Sequence, residues 1–204
     1  PAGKLRLIGI TGTNGKTTCC QLLAQLLGRL GYRCGHIGTL GHGIAGAELH
    51  GHDTSGPGTT PDAVKLQRIF AALYEAQADT VVMEVSSHGL QQQRVDVNDF
   101  AIAMFTNLSR DHLDLHGSSE EYGKTKRKLF QGTKLQAAIL NLDDSYSAQT
   151  RAILADAVNC FTWSTSDPDA DVHARNVEYT AHGIKLDVVT PWGDFDVNSS
   201  LLGA

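Results

Sequence analysis

The sequence is short of the features that mark several protein classes. It has 4 cysteines, Cys19, Cys20, Cys34 and Cys160, with neither C-x-x-C spacing nor the density of a secreted disulfide scaffold. A disulfide-stapled fold is thereby excluded, and free core thiols in a reducing cytoplasm are expected. No apolar run approaches the roughly 18 residues that a membrane span needs, and Pro1-Ala2-Gly3-Lys4 opens no signal-peptide core, so membrane insertion is not expected. Positive charge is also scarce. The formal net charge is -5 with no basic cluster beyond Lys124 to Lys128, which argues against nucleic acid as the main partner, because phosphate-backbone binding needs a basic face. Anionic ligands have to be held locally.

What remains is a globular balance. A hydrophobic fraction of 41% and a charged fraction of 19% over 204 residues suit one substantial core, and 6% aromatics with 21 glycines favour a loop-rich α/β fold. The start without Met and the apolar run at Leu201-Leu202 lead us to expect a fragment of a longer protein; a monomer is expected as well.

The organising stretch is Gly9-Ile10-Thr11-Gly12-Thr13-Asn14-Gly15-Lys16-Thr17-Thr18, which follows the apolar run Leu5 to Ile10 and precedes a leucine-rich helical pattern. It reads as a phosphate-binding loop. Glycines let the backbone curl so that N–H groups converge on an anion, Lys16 reaches the outer phosphates, and the Thr17 hydroxyl suits Mg²⁺. The spacing fits G-x-x-x-x-G-K-[ST] with one departure: the first glycine position holds Ile10, so the opening turn is expected to differ. A plain strand-to-helix turn is the alternative, disfavoured by the conjunction of strand, loop, Lys-Thr and helix.

Strand one, Leu5 to Ile10, feeds this loop, and Leu22, Leu23, Leu26, Leu27 and Leu30 recur with helical spacing until Gly31. Cys34 to Ile37 reads as a strand. Gly38 to Gly58, with seven glycines and three histidines, reads as a hairpin or mobile loop. A helix from Pro61 to Gln77 is expected, capped by Thr60. Thr80 to Val85 and Phe100 to Thr106 look like buried parallel strands. A helix over Ser118 to Phe130, a strand over Ala137 to Leu140, a helix over Tyr146 to Ala157 and a strand over Val158 to Phe161 complete the alternation. From Val172 the sequence alternates apolar and polar, with turns at His182-Gly183 and Trp192-Gly193, as in an antiparallel meander against one sheet edge. The expected fold class is α/β, a P-loop NTPase-like doubly wound, mostly parallel sheet with a small antiparallel meander at the C-terminal end.

Three further segments carry chemistry. Glu84 ends an apolar strand, where the crevice of an open α/β sheet holds its ligand and a second acid can approach a nucleotide-bound Mg²⁺. Ser86 to Arg94 follows directly and is dense in hydrogen-bonding groups, with Arg94 able to clamp a carboxylate or phosphate. Asn107-Leu108-Ser109-Arg110-Asp111-His112-Leu113-Asp114-Leu115-His116 also begins at a strand end. Its histidines and acids leave a transition-metal site, a Mg²⁺ ligand and a hydrogen-bonded His112 all open, although no second cluster supplies the remaining ligands of a metallohydrolase. Lys126 shares a helix face with Tyr122, Leu129 and Phe130, opposite Lys124 and Lys128, and so points inward unless its stem snorkels to water. Burial favours its neutral amine.

Taken together, the Thr-Gly-Thr-Asn-Gly-Lys-Thr-Thr loop, Thr59-Thr60-Pro61-Asp62, Glu84-Val85-Ser86-Ser87-His88-Gly89-Leu90 and Asn107 to Asp114 resemble the central domain of the Mur ligase family. These are ATP-dependent amide-bond ligases of bacterial cell-wall precursor synthesis. The resemblance is to the MurE-type branch, which adds meso-diaminopimelate or lysine to UDP-N-acetylmuramoyl-L-alanyl-D-glutamate. It implies ATP at Gly12, Thr13, Asn14, Gly15, Lys16, Thr17 and Thr18, and Mg²⁺ served by Thr17, Glu84 and His112. It further implies a carbamylated Lys126, and contacts to the muramoyl peptide from Thr59, Thr60, Ser86, Gln92 and Arg94. Lys16, Glu84, His112 and Lys126 are the implied catalytic residues. The family's uridine-nucleotide domain and amino-acid domain lie outside this sequence, so the chain alone is expected to be inactive. A folylpolyglutamate-synthase-like ligase and a non-catalytic nucleotide-binding module are the alternative readings.

Overall fold

The computed structural model describes residues 2–46, 59–109 and 119–201. Strand β1 (Arg6–Thr11) leads to helix α1 (Lys16–Arg29), β2 (Cys34–Gly38), β3 (Gly41–Ile44), α2 (Ala63–Glu75), β4 (Thr80–Glu84) and the short α3 (Ser87–Gln91). Next come β5 (Phe100–Phe105), α4 (Ser119–Arg127), β6 (Ala137–Asn141), α5 (Tyr146–Arg151), β7 (Asn159–Ser164), β8 (Val172–Thr180), β9 (Gly183–Val189) and β10 (Phe195–Ser199). They form one ten-stranded sheet in the order β10-β9-β8-β7-β6-β5-β1-β4-β2-β3. Strands β2, β4, β1, β5, β6 and β7 are parallel.

Apolar content decides this order. Leu7, Ile8 and Ile10 in β1 and Val81, Val82 and Met83 in β4 are all buried, as strands covered on both faces must be. One face carries α2, α3, α4, α5 and a 3-10 turn over Lys128–Gln131, packed through Leu66, Phe70, Leu90, Leu129 and Tyr146 onto Leu7, Met83 and Phe100. The other face carries α1, whose Cys20 and Ala24 meet Ile8, Ile10 and Val82.

Some boundaries differ from the sequence reading. Asp62, not Thr60, caps α2: its carboxylate accepts from Val64 N and Lys65 N, both at 3.0 Å. Helix α5 ends at Arg151, because the chain turns at residues 152–158 to bring Leu154 and Val158 onto the core before β7. The meander lies at one sheet edge as expected and is joined there by hydrogen bonds, since β8 pairs in parallel with β7 at Trp163↔Val172 and Ser164↔His173. The carboxyl ends of β1, β2, β4, β5 and β6 meet at one edge, and the site is built there.

Candidate active site

At that edge β1 runs on through Ile10, fully buried, to Thr11 before the chain turns. The position expected to open the loop with glycine is therefore a strand residue. Gly12 has φ 150°, and a Cβ on it would stand 1.9 Å from the Thr106 hydroxyl. Gly15, with φ 82°, caps α1 in the left-handed region without a side-chain hydrogen bond. A helix start with no capping side chain directs its N–H groups and the positive end of its dipole at the loop, which suits an anion. Lys16 Nζ donates to Gly12 O at 3.0 Å and to Thr13 O at 2.8 Å.

One residue on, Thr17 Oγ1 donates to Glu84 Oε2 at 2.9 Å. Glu84 is 1% exposed, and its carboxylate also accepts from Thr39 N at 2.8 Å and Thr39 Oγ1 at 3.2 Å. Among the described residues its partners are neutral donors, so this buried acid has room for a cation's charge. The Cys20 thiol below it is pushed up to about 12, first by burial and then by the Glu84 charge, and is inert.

The end of β5 braces the loop. Asn107 Oδ1 accepts from Asn14 N at 3.0 Å while its Nδ2 donates to Asn14 O at 3.1 Å, and Asn107 O accepts from Thr13 N at 2.8 Å. Thr13 Oγ1 accepts from Ser109 N at 3.0 Å. The end of β6 braces β5 in turn: Asn141 Nδ2 donates to Thr106 O at 2.7 Å, and Asp144 Oδ2 accepts from Leu108 N at 2.6 Å. Thr39, Asn141 and Asp144 were not singled out by type or spacing, and Asn107 was marked only as the start of a polar segment at a strand end. The only sequence signal for them is a polar residue at the carboxyl end of an apolar run.

Lys126 points inward as its helical spacing requires. It is 2% exposed, its Nζ donates to Gly12 O at 2.6 Å, and it lies 4.3 Å from the centre of the Tyr122 ring. Lys16, Thr17, Glu84 and Lys126 are thus gathered around the loop. The residues expected on the muramoyl peptide form a neighbouring group. Thr60 Oγ1 donates to Glu84 O at 3.0 Å and accepts from Ser86 N at 2.9 Å, so this buried hydroxyl is spent on the backbone. Arg94 donates to Thr60 O and to Gln92 Oε1, both at 2.8 Å, Ser86 caps α3, and Thr59 Oγ1 accepts from Thr39 Oγ1 at 3.3 Å. His112 lies outside the described residues.

A loop of this shape at the head of a parallel sheet is shared by many nucleotide-binding proteins, and comparison with known families narrows it. Residues 10–204 match the model of the Mur ligase middle domain. The chain belongs to the Mur ligase family. It is 47% identical over 203 residues to the UDP-N-acetylmuramoyl-L-alanyl-D-glutamate--2,6-diaminopimelate ligases of Ectopseudomonas mendocina and Pseudomonas aeruginosa, with 100% of this chain and 40% of each relative covered. A solved ligase of the same description superposes with a TM-score of 0.84 at 36% identity, over 98% of this chain and 40% of that one. The folate enzyme FolC of E. coli, solved with DHPP and ADP, superposes with a TM-score of 0.66 at 20% identity, a likeness of fold alone. The chain therefore spans about two-fifths of the length of these Mur ligases.

Proposed function

We propose that this chain is the ATP-binding middle domain of an ADP-forming amide ligase that joins 2,6-diaminopimelate to UDP-N-acetylmuramoyl-L-alanyl-D-glutamate in the bacterial cytoplasm. The observation that carries the reading is the junction of loop and sheet, where Lys16 and the Thr17–Glu84 pair stand together at the start of α1. The names of the 47%-identical relatives supply the substrate class, whereas the folate ligases share only the fold.

Bound ATP supplies the γ-phosphoryl group, and Mg²⁺ offsets the charge on its oxygens. The residues fit both: two glycine-only positions shape the cradle, and Thr17 and buried Glu84 offer the hard oxygen ligands that Mg²⁺ prefers. Lys16 exchanges its bonds to Gly12 O and Thr13 O for the outer phosphates. Thr59, Ser86, Gln92 and Arg94 orient the muramoyl dipeptide, with Thr60 fixing Ser86 and Arg94 from below. The D-glutamyl carboxylate then takes the phosphoryl group, the diaminopimelate amine attacks the resulting acyl phosphate, and phosphate leaves. Positioning and charge neutralisation do most of this work. His112, and Lys126 as a carbamate, complete the proposed metal shell. Phosphate release by the whole polypeptide that depends on both the UDP-muramoyl dipeptide and diaminopimelate is the expected result. Release with ATP and a folate in their place would overturn the reading. The 204-residue chain alone binds nucleotide and does not ligate, because the uridine and amino-acid surfaces lie elsewhere.

A further inference from the structure

Thr11 closes β1 and is 0% exposed, where Leu7, Ile8 and Ile10 before it are apolar. Its Oγ1 is buried and has no hydrogen-bond partner among the described residues. A hydroxyl shut away from water without a partner is destabilising, and valine has the same shape without that cost. A buried polar atom left in this condition calls for a reason, such as a role in the chemistry or a partner that arrives in another state.

The face of β1 that carries the hydroxyl points to that partner. Alternate strand residues share a face, so Thr11 lies on the side of Gly9, where a Cβ would stand 2.9 Å from Phe100 Cδ1 and 3.1 Å from Leu129 Cδ1. Phe105, paired with Thr11, and Val85, just past β4, belong to the same apolar cluster and offer the hydroxyl nothing. Lys126 lies about one helical turn before Leu129, and its Nζ reaches Gly12 O at 2.6 Å. With Leu129 over Gly9 and the Lys126 amine on Gly12, the lysine side chain passes over Thr11, the residue between them on that face. Helix α4 thus brings a buried polar group to a buried polar group. An ammonium carries donors only and cannot take the Thr11 proton, whereas a carbamate offers oxygen lone pairs that can.

We infer that Thr11 is a positioning residue for the modified lysine, its hydroxyl donating to a carbamate oxygen of Lys126. The inference rests on the carbamate reading above. When CO₂ adds to the neutral amine, an N–C bond forms, one C=O electron pair moves onto oxygen, and a proton leaves to water. The new negative charge then lies on the face where the unpartnered donor waits. A hydrogen bond to the charged form favours that form, so the Thr11 hydroxyl shifts the equilibrium from free amine towards carbamate. The same hydroxyl fixes which way the carbamate turns, since it is held by a strand end that cannot move without displacing the loop.

Thr11→Val and Thr11→Ser test this in the whole polypeptide, with Mg²⁺, a non-hydrolysable ATP analogue and isotope-labelled bicarbonate. The readout is the carbon NMR signal of the carbamate, assigned by its loss in Lys126→Ala. Thr11→Val should need about tenfold more bicarbonate for half-occupancy, the weight of one hydrogen bond to a charged group. Its urea midpoint should not fall, because an unpaired hydroxyl has been removed, so misfolding would not account for the loss. Thr11→Ser keeps the donor and should carbamylate as the parent does. Should the valine variant fail to fold, Thr11→Ala gives the same comparison with serine. Equal occupancy in the parent and Thr11→Val would overturn the inference and leave the carbamate reading standing. A serine variant no better than valine would assign the effect to packing and overturn it too, and no signal in the parent would remove both readings.

Discussion

Gly38→Ala adds one methyl group beside the proposed metal ligand. Gly38 has no left-handed φ, so the change is steric rather than conformational. Its Cβ would stand 2.0 Å from Glu84 Oε1 and 2.7 Å from Cδ. An ordinary contact is about 3.5 Å, so the carboxylate must retreat by roughly 1.5 Å. Such a retreat strains or breaks the bonds from Thr39 N at 2.8 Å and Thr17 Oγ1 at 2.9 Å, and a group 1% exposed has no water to turn to. Hydrogen bonds to a charged group are worth about 1.5–3 kcal/mol each, and partial loss of two gives a destabilisation of about 2–4 kcal/mol. Urea unfolding reads this as a lower midpoint at unchanged slope. Calorimetry with a non-hydrolysable ATP analogue and Mg²⁺ should show affinity down about tenfold, worth about 1.4 kcal/mol. Glu84→Asp withdraws the carboxylate by one methylene and makes the room that the methyl needs. The double variant should therefore be less destabilised than the sum of the two by at least about 1 kcal/mol. Additivity within about 0.5 kcal/mol would refute the steric argument.

Lys16→Ala should abolish nucleotide binding while leaving stability within about 0.5 kcal/mol, because the amine lies on loop carbonyls rather than in the core; undiminished affinity by calorimetry would sink the loop assignment. Asp143, held at about 2 against burial by the hydroxyls of Ser164, Thr165 and Ser166 and the Thr165 N–H, has a folded pKa below its unfolded one. Its contribution is thus present above about pH 4 and fades as pH falls towards 2, by no more than about 1 kcal/mol after solvent screening; Asp143→Asn should flatten that part of the acid-unfolding profile, and an unchanged profile counts against it. Lys126→Ala in the whole polypeptide should lose ligation and regain part of it with formate or acetate, and absence of rescue in an enzyme that still binds ATP would remove the carbamate reading.

The elements around the site were legible where burial is expressed as periodicity. The apolar runs of β1, β4 and β5 announced buried parallel strands, and the face shared by Lys126, Tyr122, Leu129 and Phe130 announced an inward lysine. Legibility failed where two local signals competed and tertiary contacts chose between them. Thr60-Pro61 and Asp62 are both plausible helix starts, but the Thr60 hydroxyl is taken by Glu84 O and Ser86 N, which leaves Asp62 to cap. Thr39, Asn141, Asp144 and the bracing role of Asn107 were illegible for a related reason. A polar residue after an apolar run looks the same whether it faces water or braces a neighbouring loop, and only the strand order β6-β5-β1-β4-β2 brings Asn107 to Asn14, Thr39 to Glu84, and Asn141 and Asp144 to the end of β5 at Thr106 and Leu108.

That strand order also brings two lysine side chains to one backbone oxygen, since Gly12 O accepts from Lys16 at 3.0 Å and from Lys126 at 2.6 Å. The carbonyl has two lone pairs and can serve both, and the start of α1 directs the positive end of its dipole at the same loop. In the proposed ligase, nucleotide phosphate draws Lys16 away from Gly12 O and leaves Lys126 as its partner. If Lys126 then adds CO₂ as the neutral amine, an N–C bond forms, a proton leaves, and a cation becomes an anion whose oxygens Gly12 O repels. The carbamate must turn from the loop, towards whatever positive charge Glu84 and Thr17 hold. Nucleotide, metal and modification are therefore coupled through a single carbonyl, and each should strengthen the binding of the others by the same factor in both directions.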